Sequence, residues 1–277
     1  MPTIKHNGLE IEYEERGEGE PVVLIHGGVV GAFYWEPLVD AMLEVSERRV
    51  ITYNRRGFGR SSAGTDTVTF AAEAEDLKCL LDSLGLERTH LVGHSYGGAI
   101  GITLAIDRPE AVQSLTLMEA YPVFLLPSGA AFGRQVVQSF ALWPSEGAAA
   151  AINSFLRTVG GPNYPPLAPG WLEQIIADVS SGRKEGSDLR EWNPTPDQLG
   201  RVTMPVLLVL GGESHTVSPV FEEGHALEKS WFPHAEEFVL PRATHALHNM
   251  NPHDLADALN AFYARNPVAT QASSGES

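Results

Sequence analysis

Several things are scarce in this chain of 277 residues. It has one cysteine, Cys79, which excludes an internal disulfide. Cys79 falls on a helical pattern whose apolar positions are 70, 74, 77, 81 and 84, so it reads as a packed or half-buried structural thiol. Basic residues are few, with 19 Lys and Arg against 35 Asp and Glu, a formal net charge of −16. Such a surface repels nucleic acid, anionic membranes and strongly acidic ligands, so no nucleic-acid or membrane partner is expected. No apolar run approaches the roughly 18 residues of a membrane span. No secretory leader pattern precedes the first strand pattern, and the expected location is cytoplasmic. No Cys/His cluster has metal-ligand spacing, and there is neither a P-loop nor a dinucleotide fingerprint. The expectation is therefore no metal and no cofactor.

What is present is an alternation of apolar strand patterns and amphipathic helix patterns. Strands are expected near residues 9–15, 21–26, 49–53, 89–93, 113–119, 205–211 and 235–240. Helices are expected near 34–45, 70–84, 97–107, 218–230 and 252–265. That order predicts an α/β fold, with a mostly parallel central sheet covered by helices on both faces. The acidic stretch Glu10–Glu15 reads as an edge strand with a charged outer face.

Three segments carry chemistry. The first is Gly93-His94-Ser95-Tyr96-Gly97-Gly98, between a short apolar strand and a helix-forming run. A serine at the tip of so sharp a turn has a strained backbone and an exposed hydroxyl. The glycines at 93 and 97 are required where a side chain would clash, and the helix that follows aims its first amides at the same point. Read alone, the pattern also fits an ordinary glycine-rich turn with a surface serine. The second segment is Val22–Gly28, a buried strand ending in a glycine pair. Beside the serine turn, the amide of Gly28 or Val29 can pair with that of Tyr96 to hold an oxyanion. His26 reads as a brace for this loop. The third is Phe238–His245, with Asn251-Pro252 as the cap and first position of the last helix. Among ten histidines, His245 stands out because it follows the last strand. His248 and His253 are its rivals.

Together these segments resemble the α/β-hydrolase superfamily, from about Ile11 to Phe262. Tyr53–Ser62, with its arginines and glycines, matches as a structural loop. The resemblance implies that Ser95 is the nucleophile and His245 the base. The family usually places the triad acid after the strand Val206–Leu210. Counted from Gly212 and from Pro219, that position is His215, which cannot supply a negative charge. Two carboxylates are available instead. Glu213 lies in the same loop. Glu119 ends the strand that follows the nucleophile helix, and Met118-Glu119-Ala120 with Pro122 is similar to the acid-bearing segment of haloalkane dehalogenases and some lactone-cleaving hydrolases. Glu119 is the favoured acid and Glu213 the alternative. A salt bridge or a solvated hinge residue is the plain reading of Glu119. A serine at position 95, where dehalogenases have aspartate, favours acyl transfer.

Residues 121–201 interrupt the alternation and are too long for a plain connection. Helical runs near 130–142, 145–158 and 169–181 predict a helical cap inserted between two halves of the core, residues 1–120 and 202–265. Val29, Phe33, Phe124, Trp143 and Trp192 are candidate pocket residues. Trp35 reads as an anchor for its helix. Residues 266–277 read as a flexible tail.

The expected activity is hydrolysis of a small, largely apolar carboxylic ester or lactone by a Ser-His-Glu triad. C–C bond hydrolysis and cofactor-free perhydrolysis use the same residues. A ligand receptor with vestigial turnover also fits them. The cap's few basic residues, chiefly Arg134, Arg157, Arg183, Lys184 and Arg190, argue against a dianionic substrate.

Overall fold

The computed structural model describes residues 1–6, 8–64, 68–120, 122–181 and 189–268. In chain order its elements begin with β1 (Thr3–His6), β2 (Leu9–Arg16), β3 (Glu20–Ile25), α1 (Glu36–Val45), β4 (Arg48–Tyr53), α2 (Phe70–Ser83), β5 (Thr89–His94), α3 (Tyr96–Asp107) and β6 (Val112–Met118). An insert follows, made of α4 (Gly129–Phe140), α5 (Trp143–Glu146), α6 (Ala148–Gly160), α7 (Trp171–Ser180) and α8 (Pro196–Leu199). The core resumes with β7 (Val206–Gly211), α9 (Val220–Trp231), β8 (Glu236–Leu240), α10 (Leu247–Met250) and α11 (Pro252–Arg265).

Among the described residues eight strands form one sheet, in the order β1-β2-β4-β3-β5-β6-β7-β8. From β4 to β8 every neighbouring pair is parallel. The apolar runs of these strands are continuous because both faces are covered. In β3, Val22 and Leu24 face the layer of α1 and α11, while Val23 and Ile25 face the layer of α2 and α3. In β7, Leu207 and Val209 share the first face, and Val206 and Leu208 the second. The α/β architecture read from the sequence is the one observed.

One strand differs from the reading. β1 was not expected, and it pairs antiparallel with Leu9–Glu12. Tyr13–Arg16 pairs with β4 instead. The acidic stretch is therefore not the terminal strand of the sheet, which is β1, although each half of it is paired on one side only. The turn between β1 and β2 uses Gly8, whose φ of 80° suits glycine.

The chain order reverses at β3, which pairs with β4 on one side and β5 on the other. In an open parallel sheet the carboxyl ends on either side of such a point leave a crevice. The loops that carry Gly28 and Ser95 leave from these strand ends.

The Tyr53–Ser62 loop is held by two buried ion pairs. Arg56 Nε and Nη2 donate to Asp76 at 2.6 and 2.7 Å. Arg55 Nη1 donates to both oxygens of Glu73, at 2.9 and 3.2 Å, and its Nη2 donates to the Gly27 carbonyl at 2.7 Å. The Arg55 backbone N–H donates to His26 Nε2 at 3.0 Å, leaving His26 Nδ1–H to donate to Gly27 O at 2.9 Å. His26 thus braces the loop after β3.

The start of the expected tail is tied to the core. Gln113 Nε2 donates to the carbonyls of Asn266 and Pro267, and the Val268 amide donates to Glu20. The rest of that tail, 269–277, lies outside the described residues, as do Tyr121, Arg183 and Lys184. No helix among the described residues is long and apolar enough to cross a membrane.

Arg55 and Glu73 are 0% and 1% exposed. Removing one member leaves an uncompensated buried charge, a change that typically costs about 3–5 kcal/mol. Glu73→Ala is expected to lower unfolding stability by that order in urea titrations. The double change Glu73→Leu with Arg55→Met should recover part of the loss.

Candidate active site

Five strand ends supply the site, those of β3, β5, β6, β7 and β8. Ser95 follows β5 with φ 52° and ψ −123°, a conformation that costs free energy and is retained where the surroundings impose it. Its amide donates to Met118 O at 3.0 Å, and Gly98 N donates to its carbonyl at 2.9 Å. The turn has no room for side chains. A Cβ on Gly93 would lie 2.5 Å from Gly98 Cα, one on Gly97 would lie 2.2 Å from Ile25 O, and one on Gly98 would lie 2.0 Å from Ala120 Cβ. α3 therefore lies tight against β3 and the end of β6, with Ser95 raised at its N-terminus.

Glu119 follows β6, also with positive φ, at 46°. Its side chain is fully buried. Glu119 Oε2 meets His245 Nδ1 at 2.7 Å. Its other oxygen, Oε1, accepts from Gly211 N at 2.9 Å and from Ser214 Oγ at 2.5 Å. A buried carboxylate with three such partners is held in one orientation. With Nδ1 engaged, the remaining ring nitrogen of His245, Nε2, is the one left for chemistry.

Glu213 does not share this position. It sits at the turn after β7, its amide donating to Ala243 O at 2.9 Å, and it is not among the residues lining the cavity at Ser95. His215 is exposed. The loop after β7 brings hydrogen-bond donors to the carboxylate of Glu119 instead of a carboxylate of its own. Ser214 was not singled out in the sequence, and nothing in its neighbourhood except the paired glycines before it marks the turn that aims its hydroxyl inward.

The rival histidines separate clearly. His248 is buried between Trp35 and Tyr34, with ring centroids 4.4 and 5.0 Å away. Burial, with help from nearby His245, pushes its pKa down to about 3. His253 is on the surface, 3.7 Å from Glu44. His94, next to Ser95, was not anticipated. Its Nε2 donates to the His245 carbonyl at 2.8 Å. Burial first, and then the charges of His245 and His248, hold its pKa well below the usual range, so it stays neutral. His94 fixes the backbone of His245 without competing for its proton.

Gly28 and Tyr96 both line a cavity of about 350 Å³ with Ser95, His245 and Glu119. Val29 lies beside them with φ 71°. Of the expected pocket residues, Val29, Phe124 and Trp192 line this cavity. Phe33 and Trp143 do not, which corrects the sequence reading. Phe33 turns away to pack on Trp171, with ring centroids 5.4 Å apart. Trp143 packs with the same cluster beneath α6 and α7. The insert wall is made instead by Phe132, Val136, Phe140, Phe155 and Val159. The described lining contains no lysine or arginine, and no group of three or more potential metal ligands occurs among the described residues.

A second buried carboxyl stands close to Glu119. Glu228 on α9 is 0% exposed, and neither oxygen has a hydrogen-bond partner of good geometry. Burial, and secondarily the charge of Glu119, raises its pKa well above the usual carboxylate range, opposed only in part by the Ala120 backbone. It is held as the neutral acid.

A family model described as the alpha/beta hydrolase fold matches residues 20–165, more than half of the chain. A Variovorax paradoxus protein named as a carbamate hydrolase, RutD, is 41% identical over 116 residues, which cover 41% of this chain and 43% of that one. The match therefore spans less than half the length of this relative. The mouse sn-1-specific diacylglycerol lipase ABHD11 is 29% identical over 273 residues, covering 88% of this chain and 80% of its own. Among solved structures, the N-acyl homoserine lactone degrading enzyme Est816 superposes with a TM-score of 0.74 at 22% identity, covering 94% of this chain and 100% of its own.

The neutral state of Glu228 has a pH signature. An unfolded glutamate ionises near pH ~4.3, while folded Glu228 keeps its proton. The folded state then binds more protons than the unfolded one, so this group's contribution falls as pH rises above about 4.3. Glu228→Gln removes that penalty. It is expected to raise the melting temperature at pH 7–8 and to give no such gain at pH 4, as read by scanning calorimetry at both values.

Proposed function

Because the chain belongs to the α/β-hydrolase family, we propose that it hydrolyses small, largely apolar carboxylic esters or lactones through an acyl-enzyme on Ser95. The observation that carries this reading is the 2.7 Å contact of His245 Nδ1 with buried Glu119 Oε2, in a cavity shared with the strained Ser95.

In this reading His245 Nε2 takes the proton of Ser95 Oγ as the oxygen attacks the carbonyl carbon. The imidazolium is stabilised by Glu119, itself held by Gly211 and Ser214. The carbonyl oxygen becomes an oxyanion against the amides of Tyr96 and Gly28. The C–O bond to the leaving alcohol breaks, and His245 returns the proton to that oxygen. Water, deprotonated by His245, attacks the acyl-enzyme. The acid departs and Ser95 regains its hydrogen. In a lactone the alcohol and acid remain in one product.

The substrate carries little charge where it contacts the wall, because the described lining has no lysine or arginine to pair an anion. This argues against the dianionic substrate of a C–C hydrolase. The partner is a small molecule. The insert acts as the cap, covering residues 121–201 over a core of residues 1–120 and 202–265.

Steady-state hydrolysis of p-nitrophenyl esters and simple lactones tests the reading. Ser95→Ala is expected to abolish turnover, and full activity in that variant would overturn the mechanism. Glu119→Gln should lower kcat by about 10³–10⁴-fold, as expected when the group that orients a catalytic histidine is neutralised. Glu213→Gln should change it less than threefold. The reverse order would move the acid to Glu213.

A further inference from the structure

Among its described lining residues, the cavity reaches the surface at Phe124 and Val137. Of the residues that line it, Phe124, at 39% exposure, and Val137, at 68%, are exposed; all the others are buried or half-buried. Leu125, beside Phe124, is 40% exposed. Two of the six exposed large apolar side chains among the described residues thus line the cavity, and a third, Leu125, adjoins one of them in the chain. Exposed apolar groups gathered at the rim of a binding cavity mark a contact surface rather than the usual scatter of single residues.

Gly133 lies between this rim and the interior. It is in the second turn of α4, a twelve-residue helix, and it lines the cavity. Glycine within a helix costs about 0.5–1 kcal/mol relative to alanine. No close backbone approach requires it here. A Cβ at Gly133 would meet only Phe124 Cε1, at 3.6 Å, an ordinary contact. The other glycines of the site are different, since Cβ atoms at 93, 97 and 98 would collide with backbone or neighbouring side chains. What glycine preserves at 133 is the space beside the Phe124 ring, in line with Phe132 and Val136 inside and Val137 outside.

We propose that Gly133 forms the floor of an exit channel, through which an unbranched alkyl chain of the substrate runs from Ser95 out between Phe124 and Val137 onto the apolar rim. The proposal rests on the ester or lactone reading for what happens at Ser95, and it adds the substrate class: esters or lactones with a straight chain longer than the enclosed cavity holds. The cavity lining along this path includes no lysine or arginine among the described residues, and the Arg190 guanidinium sits at the mouth over the Phe124 ring, 5.0 Å from its centre; the wall inside that point rewards each methylene and offers nothing to a polar or charged tail. Burial of one methylene can raise affinity by about three- to fourfold, and the gain ends where the chain passes into water.

Two measurements test it. In the first, kcat/KM is followed for p-nitrophenyl acetate, butanoate, octanoate and decanoate. The protein should prefer decanoate to acetate by at least about tenfold, and Gly133→Leu, whose side chain fills the channel, should reduce that ratio at least tenfold. Val137→Asp, which puts a charge on the exposed end of the path without touching buried packing, should reduce it severalfold and serves if the leucine variant does not fold. An unchanged ratio in the folded variants overturns the proposal. The second measurement is calorimetric binding of butan-1-ol, octan-1-ol and decan-1-ol, which need no turnover. Affinity should rise with length in the unaltered protein and lose that dependence in Gly133→Leu. If no ester is hydrolysed but the alcohol series behaves in this way, the ester reading fails and the channel stands. If affinity is independent of length, or its dependence survives in Gly133→Leu and Val137→Asp, the channel is wrong whatever the esterase result.

Discussion

The arrangement at the strand ends depends on one buried carboxyl group. A carboxylate with no access to water is costly unless every oxygen is met. Glu119 meets this condition with a histidine on one side and an amide and a hydroxyl on the other. Each partner comes from a different place in the chain. Gly211 ends β7, Ser214 lies in the turn beyond it, and His245 follows β8. Satisfying one carboxylate therefore sets the relative positions of the last three parallel strands of the sheet. The strained backbones of Ser95 and Glu119 stand next to each other in this frame, the amide of Ser95 bonded to the residue before Glu119.

Around that carboxyl group the other ionisable groups are kept silent. His94 and His248 are desolvated and neutral, and Glu228 keeps its proton. Three titratable side chains packed near one histidine–carboxylate pair would otherwise scatter charge through a low-dielectric region, where each stray charge acts strongly on its neighbours. Neutrality lets His94 serve as a strut through its bond to the His245 carbonyl. The pair His245–Glu119 is left as the polar axis of the cavity.

The sheet was legible because period and length speak directly about it: short β-branched runs flanked by turn residues can be little else, and the seven strands read in advance are all present. The strand missed, β1, has four residues with no buried side chain, too short and too exposed to leave a pattern. At the site, the glycines around Ser95 were readable because each answers a steric demand within a few residues of chain. Glu119 could be favoured over Glu213 because Met118-Glu119-Ala120 with Pro122 resembles the acid-bearing segment of haloalkane dehalogenases and because Glu119 follows a largely buried strand. Ser214 and His94 were not readable, because their importance comes from contacts across 95 and 151 positions of sequence. The pocket wall was the least legible part. Phe33 and Trp143 are aromatic, like Phe124 and Trp192, and only the rotation of each helix against its neighbours decides which rings face inward.

The bonds from Gly211 and Ser214 to Glu119 tie the place where the insert leaves the sheet to the far end of β7, the strand through which the insert returns. The insert departs within three residues of Glu119 and returns through β7, which pairs directly with β6. It is a loop of some eighty residues knotted at its base, and the cost of bringing such distant ends together rises only slowly with length. Once the base is closed by strand pairing and by a shared carboxylate, the span above it can be lengthened, shortened or severed with little effect on closure. Variation in this part of the chain can reshape what enters the cavity while the polar axis below remains in register.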